Sequence, residues 1–406
     1  MRGTVWALII AAVAALVGIT GRAQQRSVSA PVIVVFRADA RLDGFENQYE
    51  SDIRAQRDPD GWSYLNRGVT GAVQALERAH GFQADHVYSA ALRGFAARLS
   101  QDQIAALQRN PLVSYIEADL PMHTIAQTIP WGISQIGADV SSTVAGDGMG
   151  AVTGVRAYII DTGIDWTHDD LHVVWHVNFT GLFGGGNIDC NGHGTHVSGT
   201  VGAIDNTSDV VGVAPAVPLV GVKVLNCQGA GLTSTVIKGV DWVTQNAILP
   251  AVANMSLGGS ASLALDTSVR NSAASGVTYA VAAGNDGADA CNSSPSRAGL
   301  GTNGILTVAA TDQNDQEASF SNFGNCVDVW APGVGVLSTW PGGGTQTLSG
   351  TSMATPHVTG TAALFLSGNP SAGPVDVERA IKLFAQSVGT VSKDGRSIMR
   401  LWAGNF

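Results

Sequence analysis

The chain has 406 residues, 13% of them charged and 45% hydrophobic, with 50 glycines; this suits folded units rich in tight turns and excludes a disordered chain. Its formal net charge of −10 lies wholly in residues 126–406, where 10 Lys and Arg face 20 Asp and Glu, while residues 1–125 carry 12 of each. With four lysines in all, so acidic a surface argues against nucleic acid or an anionic membrane as partner.

In chain order, "MRGTVWALIIAAVAALVGITGRA" places Arg2 before an apolar run from Val5 to Ile19 and small residues up to Ala23. This is the pattern of a secretory signal over residues 1–23, cut after Ala23. The alternative, a membrane anchor, is weaker because the run is short for a bilayer. Export gives an oxidising setting to the four cysteines, Cys190, Cys227, Cys291 and Cys326. Their number is even, three pairings are open, and no CxxC spacing indicates zinc or a redox site.

Residues 31–120 read as one small unit. "PVIVVFRA" is a strand, "GVTGAVQALERAHG" an amphipathic helix ended by Gly81, and "VYSAALRGFAARLS" two strands about a turn. "SQDQIAALQRN" opens a helix with a capping box, Ser100 and Gln103, and "PLVSYIEAD" is a closing strand. The order βαββαβ predicts a ferredoxin-like α+β layer. Residues 39–68, rich in Asp and Arg, read as an exposed insertion, and "MHTIAQTIPW" as a linker.

Beyond residue 150, apolar strands ("VRAYIID", "PLVGVKVL", "AVANMSL", "VTYAVAAGN", "GILTVAAT") alternate with helices ("GHGTHVSGTVGAI", "STVIKGVDWVTQNA", "LALDTSVRNSAASG", "TPHVTGTAALFL"). Continuous apolar strands separated by helices predict an α/β fold, a parallel sheet covered on both faces. There, reactive groups gather at strand C-termini and helix N-termini. Asp161 ends "AYIID", His193 opens "HGTHVSGTVGAI", Asn285 ends "AVAAGN", and Ser352 in "GTSMATPHV" opens a buried helix. Carboxylate, imidazole, hydroxyl and amide are the parts of nucleophilic acyl transfer.

Each piece alone has a bland alternative. Ser352 could be an N-cap. Asp161 in "DTG" could serve an aspartic protease, but no second such loop occurs. His193 and His196 could be a metal pair, but the glutamate of HExxH is missing. An α/β-hydrolase orders its triad Ser, acid, His, whereas here the order is Asp, His, Ser.

Jointly, "IIDTGI", "NGHGTHVSGT", "AAGN" and "GTSMATPHV" resemble the four signature blocks of the subtilases, the subtilisin-like serine proteases. "WGISQIGA", "GVDWV" and "SFSNFGNCVDVWAPG" point to the proteinase K and aqualysin branch, and the small N-terminal unit resembles the subtilase inhibitor prosegment. The resemblance implies a triad of Asp161, His193 and Ser352, with Asn285 as oxyanion donor beside the Ser352 N–H. It implies that Gly229, Ala230 and Gly231 flank an extended substrate on one side and Ser256, Leu257 and Gly258 on the other. Ala283 and Gly284 would help wall the pocket before the scissile bond, an uncharged pocket suited to apolar and aromatic residues. It further implies disulfides Cys190–Cys227 and Cys291–Cys326, and a structural calcium at Asp328, with no cofactor for catalysis.

The expected product is thus a secreted, monomeric endopeptidase acting on proteins and peptides. Residues 1–23 are signal, 24–125 an inhibitor and chaperone prosegment, and 126–406 the peptidase. An esterase using the same serine, and a catalytically silent binding module of the same fold, are the alternatives. Residues 165–187, with three histidines and two tryptophans, depart from the family pattern and read as a variable surface loop.

Overall fold

The computed structural model describes residues 29–42, 45, 67–119, 127–181 and 185–406. The proposed signal, most of the 39–68 insertion and the start of the linker "MHTIAQTIPW" lie outside them. The chain divides into two units, residues 1–122 and 123–406. Among the described residues no helix is long and apolar enough to cross a membrane.

The first unit runs β1 (Ala30–Phe36), α1 (Arg67–His80), β2 (Ala84–Tyr88), β3 (Gly94–Leu99), α2 (Gln101–Gln108) and β4 (Val113–Ala118). Its antiparallel sheet has the order β2-β3-β1-β4. Alternation in β1 sends Val32, Val34 and Phe36 inward against Phe95, Leu99, Val73, Leu76 and Leu107. Gly81, at φ +67°, ends α1 and returns its N–H to Glu77. The capping box of α2 is reciprocal: Gln103 N donates to Ser100 Oγ at 3.3 Å and Ser100 N to Gln103 Oε1 at 2.8 Å. The amide of Gln103 reaches on to the carbonyls of His80 and Gly81 at 3.0 and 3.1 Å, tying α2 to the end of α1.

The second unit contains β5 (Arg156–Asp161), β6 (Val173–Asn178), α3 (His193–Gly202), β7 (Leu219–Lys223), α4 (Thr233–Asn246), β8 (Ala251–Met255), α5 (Leu263–Ala274) and β9 (Val277–Ala282). Then follow β10 (Ile305–Thr311), β11 (Val329–Pro332), α6 (Thr351–Gly368), α7 (Pro374–Phe384), β12 (Gln386–Val391) and β13 (Ser397–Arg400). The sheet order is β12-β13-β11-β10-β9-β8-β5-β7-β6. All neighbours are parallel except the edge pair β12 and β13.

Successive residues of one strand feed two cores. Ala157 and Ile159 pack with α3 and α6 on one face, while Tyr158 and Ile160 pack with α4 and α5 on the other. Burial on both faces is why β5, β8 and β9 carry no outward polar alternation. The expected surface loop at 165–187 is corrected in part. Val173–Asn178 is an edge strand parallel to β7, and His168 is buried. Val174 and Trp175 face solvent there, so an edge position hides the periodicity that would have revealed it.

Candidate active site

β5 lies between β7 and β8, so chain order reverses at its carboxyl end, the place where open α/β sheets leave a crevice. Asp161, fully buried, ends β5 at that point. Its Oδ1 accepts from Thr162 N at 2.7 Å and from His193 Nδ1 at 2.8 Å. Among the described residues its Oδ2 has no partner. His193 is the first residue of α3. Since the carboxylate engages Nδ1, that nitrogen carries the proton and Nε2 keeps a free lone pair. Burial disfavours the imidazolium, but the adjacent Asp161 charge outweighs it and raises the His193 pKa above the ordinary histidine value.

Ser352 is the second residue of α6, whose N-cap is Gly350; the N-cap alternative therefore fails. Its hydroxyl donates to the Ser256 carbonyl at 3.1 Å. Pro356 has no N–H to offer the carbonyl four residues back. That carbonyl belongs to Ser352, and the Ser256 hydroxyl donates to it instead, at 2.8 Å. Asn254 Nδ2 donates to Ser256 Oγ at 2.9 Å, and Thr359 Oγ1 to Asn254 Oδ1 at 3.0 Å. Two reciprocal hydrogen bonds thus lock the start of α6 to the segment leaving β8.

Asn285 accepts on Oδ1 from both N and Oγ1 of Thr351, each at 2.9 Å, which leaves its Nδ2 as a donor. A Cβ built on Gly350 would stand 3.5 Å from Asn285 Nδ2 and 3.6 Å from Ser352 N. The two donors border the same small space, at the positive end of an 18-residue helix.

A cleft of about 470 Å³ is lined by His193, by Gly229, Ala230 and Gly231, and by Ser256, Leu257 and Gly258. Val236 and Leu265 also line it, and none of these side chains except His193 is ionisable. Asn226 takes both backbone groups of Ala230: its N–H donates to the Ala230 carbonyl and its Oδ1 accepts the Ala230 N–H. Ala283 and Gly284 are not among the lining residues. Ala283 is fully buried, its N–H on the Val308 carbonyl and its carbonyl on Asn322 Nδ2.

The cystines join Cys190 to Cys227 and Cys291 to Cys326. At Asp328 the carboxylate is fully engaged: Lys382 Nζ donates to Oδ1 at 2.6 Å and Thr307 N to Oδ2 at 2.8 Å. The same ammonium reaches Glu378 Oε1 at 3.0 Å. A cation already stands between these carboxylates, and the residues do not fit a calcium ion as well. The three histidines of the atypical segment have separate partners: His168 with Gly344 O, His172 with Ala216 O, and His176 with Asn187 Oδ1. Among the described residues no group of three or more His, Cys, Asp or Glu is arranged to hold a metal.

What the sequence did not reveal is the support beneath the crevice: Thr162, Asp189 and Lys223, all buried. One signal was present, a lysine inside the otherwise apolar strand "PLVGVKVL".

Comparison with known proteins finds relatives of both units. Residues 153–396 match the Subtilase family, and residues 31–124 match Peptidase inhibitor I9. The "Extracellular serine proteinase" of Thermus sp. (strain Rt41A) is 46% identical over 314 residues, covering 75% of this chain and 74% of the relative. "Proteinase R" of Parengyodontium album is 41% identical over 305 residues, covering 72% and 75%. A solved structure of a cold adapted subtilisin-like serine proteinase is 42% identical, with a TM-score of 0.59, covering 69% of this chain and 98% of that one.

Proposed function

Because the chain belongs to the subtilase family and is a subtilisin-like serine endopeptidase, we propose that Ser352 is its nucleophile, His193 its general base and Asp161 the carboxylate that orients the base. The observation that carries this reading is the 2.8 Å hydrogen bond from His193 Nδ1 to Asp161, made at the mouth of a cleft whose wall, Ser256, is bonded twice to Ser352. In catalysis the Ser352 hydroxyl leaves the Ser256 carbonyl and passes its proton to His193 Nε2 as Oγ attacks the scissile carbonyl. Asp161 holds the imidazole in the required tautomer and stabilises the imidazolium. Asn285 Nδ2 and Ser352 N receive the oxyanion. His193 then protonates the leaving amine, and water, deprotonated by the same Nε2, releases the acyl group.

Substrate lies extended between Gly229–Gly231 and Ser256–Gly258, adding a strand to each wall. The uncharged lining favours apolar and aromatic residues before the scissile bond. The chain is made with a signal over 1–23 and an inhibitory prosegment over 24–125 and is exported, as the printed name of the Thermus relative suggests for that protein. At Asp328 the resident cation is the Lys382 ammonium, and no calcium is assigned there.

The test is labelling by an organophosphonate or a serine-directed sulfonyl fluoride, with casein and short-ester turnover followed in parallel. A single adduct on Ser352 that abolishes casein hydrolysis is expected. Proteolysis that survives labelling, or ester turnover without proteolysis, overturns the assignment.

A further inference from the structure

Thr162 directly follows Asp161, and every polar group of its residue is engaged. Its N–H donates to Asp161 Oδ1 at 2.7 Å. Its hydroxyl donates to Asp189 Oδ1 at 2.9 Å and accepts from Gly194 N at 2.9 Å. Its carbonyl accepts from Lys223 Nζ at 2.5 Å. Gly194 in turn directly follows His193. One threonine therefore fixes the residue after the carboxylate to the residue after the imidazole.

Asp189 and Lys223 hold that threonine from two sides. Besides Thr162, the Asp189 carboxylate accepts from Asn191 N, Gly192 N and Thr195 N, each at 2.9 Å, and from Thr195 Oγ1 at 2.7 Å. It closes the turn entering α3 and supplies negative charge to the first turn of that helix. Lys223, fully buried, is the β7 residue in register with Asp161. Beyond Thr162 it reaches Cys190 Sγ at 3.6 Å, the residue next to Asp189.

We propose that Asp189 and Lys223 are positioning residues, a buried pair of opposite charges that sets the geometry of Asp161 and His193 through Thr162 and tunes the pH at which they work. Neither is assigned a contact with substrate. The proposal rests on the Asp161–His193 assignment above. Asp161 and His193 apart, the ionisable groups near the pair and the dyad are His176 on β6, beside Asp189 and Lys223, and His196 on α3, beside His193. Burial lowers the pKa of His176 and takes that of His196 down to about 4, which favours the neutral form of each; Cys190 is in a disulfide. Two fixed charges remain. Asp189 favours the His193 imidazolium, and Lys223 lies against both carboxylates and offsets them.

The signs are opposite, and that makes the test specific. In the full chain, matured as the wild type is, Asp189→Asn and Lys223→Met are compared by kcat/KM against pH on a peptide p-nitroanilide, with active enzyme counted by titration. Asp189→Asn should move the acid limb to lower pH by several tenths of a unit or more, and Lys223→Met should move it to higher pH by a similar amount. Thr162→Val removes the link but keeps both charges. It should lower kcat about tenfold or more, with KM little changed and the acid limb in place. Limbs that stay put, or that move the same way in both charge variants, overturn the proposal. If the charge variants do not fold, a Thr162→Val enzyme of normal kcat overturns it alone. Failure of the underlying assignment would look different: Ser352→Ala would remain active.

Discussion

The hydroxyl of Ser352 stands two residues into an 18-residue helix, where unpaired N–H groups favour negative charge. A serine there is useful only if something takes its proton and something receives the oxyanion. Ser352→Ala is therefore expected to lower kcat by a factor on the order of 10⁶ and Asn285→Ala by about 10²–10³, the magnitudes measured in subtilisin itself. Single-turnover kinetics on purified variants checks both, and near-normal turnover by Ser352→Ala would sink the mechanism. Asp170 raises a separate expectation. It is buried, with Asn206 Nδ2 on Oδ1 at 2.6 Å and Val210 N on Oδ2 at 3.3 Å. Burial pushes its pKa up to about 7, helped by Asp209 and opposed by those hydrogen bonds. A carboxyl with a higher pKa folded than unfolded binds its proton more tightly in the native state. Its contribution is full below about pH 4 and falls as pH rises toward 7. Asp170→Asn, neutral throughout, should match the wild type near pH 4 and gain on it by about 2–4 kcal/mol by pH 8. Melting temperatures measured from pH 4 to 8 would show this as a widening gap, and a constant gap would contradict it.

Between elements, one ammonium does the work of a staple. Glu378 of α7 accepts Asn303 N and Gly304 N on Oε2 at 2.8 and 2.7 Å, and Lys382 on Oε1, so the loop before β10 hangs from α7. Lys382→Met would leave two buried carboxylates facing each other. A fully buried pair broken this way costs about 3–5 kcal/mol, and because the Lys382 side chain is 35% exposed a loss of about 2 kcal/mol is expected. Faster amide exchange over residues 296–304 should accompany it; unchanged exchange there would contradict the staple. Each cystine closes a loop of similar size, 37 and 35 residues apart, so removing either should cost roughly 3–4 kcal/mol by loop-closure entropy. Denaturant titration of Cys291→Ser/Cys326→Ser checks this. The same scale explains what could be read without coordinates. β5, β8 and β9 are apolar on both faces and announce themselves, and Asp161, His193, Asn285 and Ser352 each sit in a contiguous block at an element boundary. β6 is hidden because an edge strand exposes Val174 and Trp175. The Thr162 junction is hidden because its bonds to Asp189 and Lys223 span 27 and 61 residues, a distance no local pattern encodes.

For the molecule as a whole, the order of the strands governs how it must fold. β5 pairs with β8, Arg156 opposite Ala251, and β11 with β13, Trp330 opposite Arg400. Such pairings close long loops before any contact compensates the lost entropy, so unaided folding is expected to be slow. The first unit has its own sheet and its own core around Phe95 and Leu99 and matches an inhibitor family over residues 31–124. A unit able to order itself and to bind the peptidase would lower that barrier, and by the same binding would inhibit the product. Two outcomes follow. If the proposed nucleophile also releases the prosegment, Ser352→Ala should accumulate uncut between the two units. Residues 24–125, added separately, should speed the refolding of residues 126–406 and inhibit the mature enzyme. Refolding followed by casein hydrolysis, with and without the added unit, reads both effects. Rapid recovery of full activity by 126–406 alone, unchanged by the added unit and uninhibited afterwards, would exclude a chaperone role.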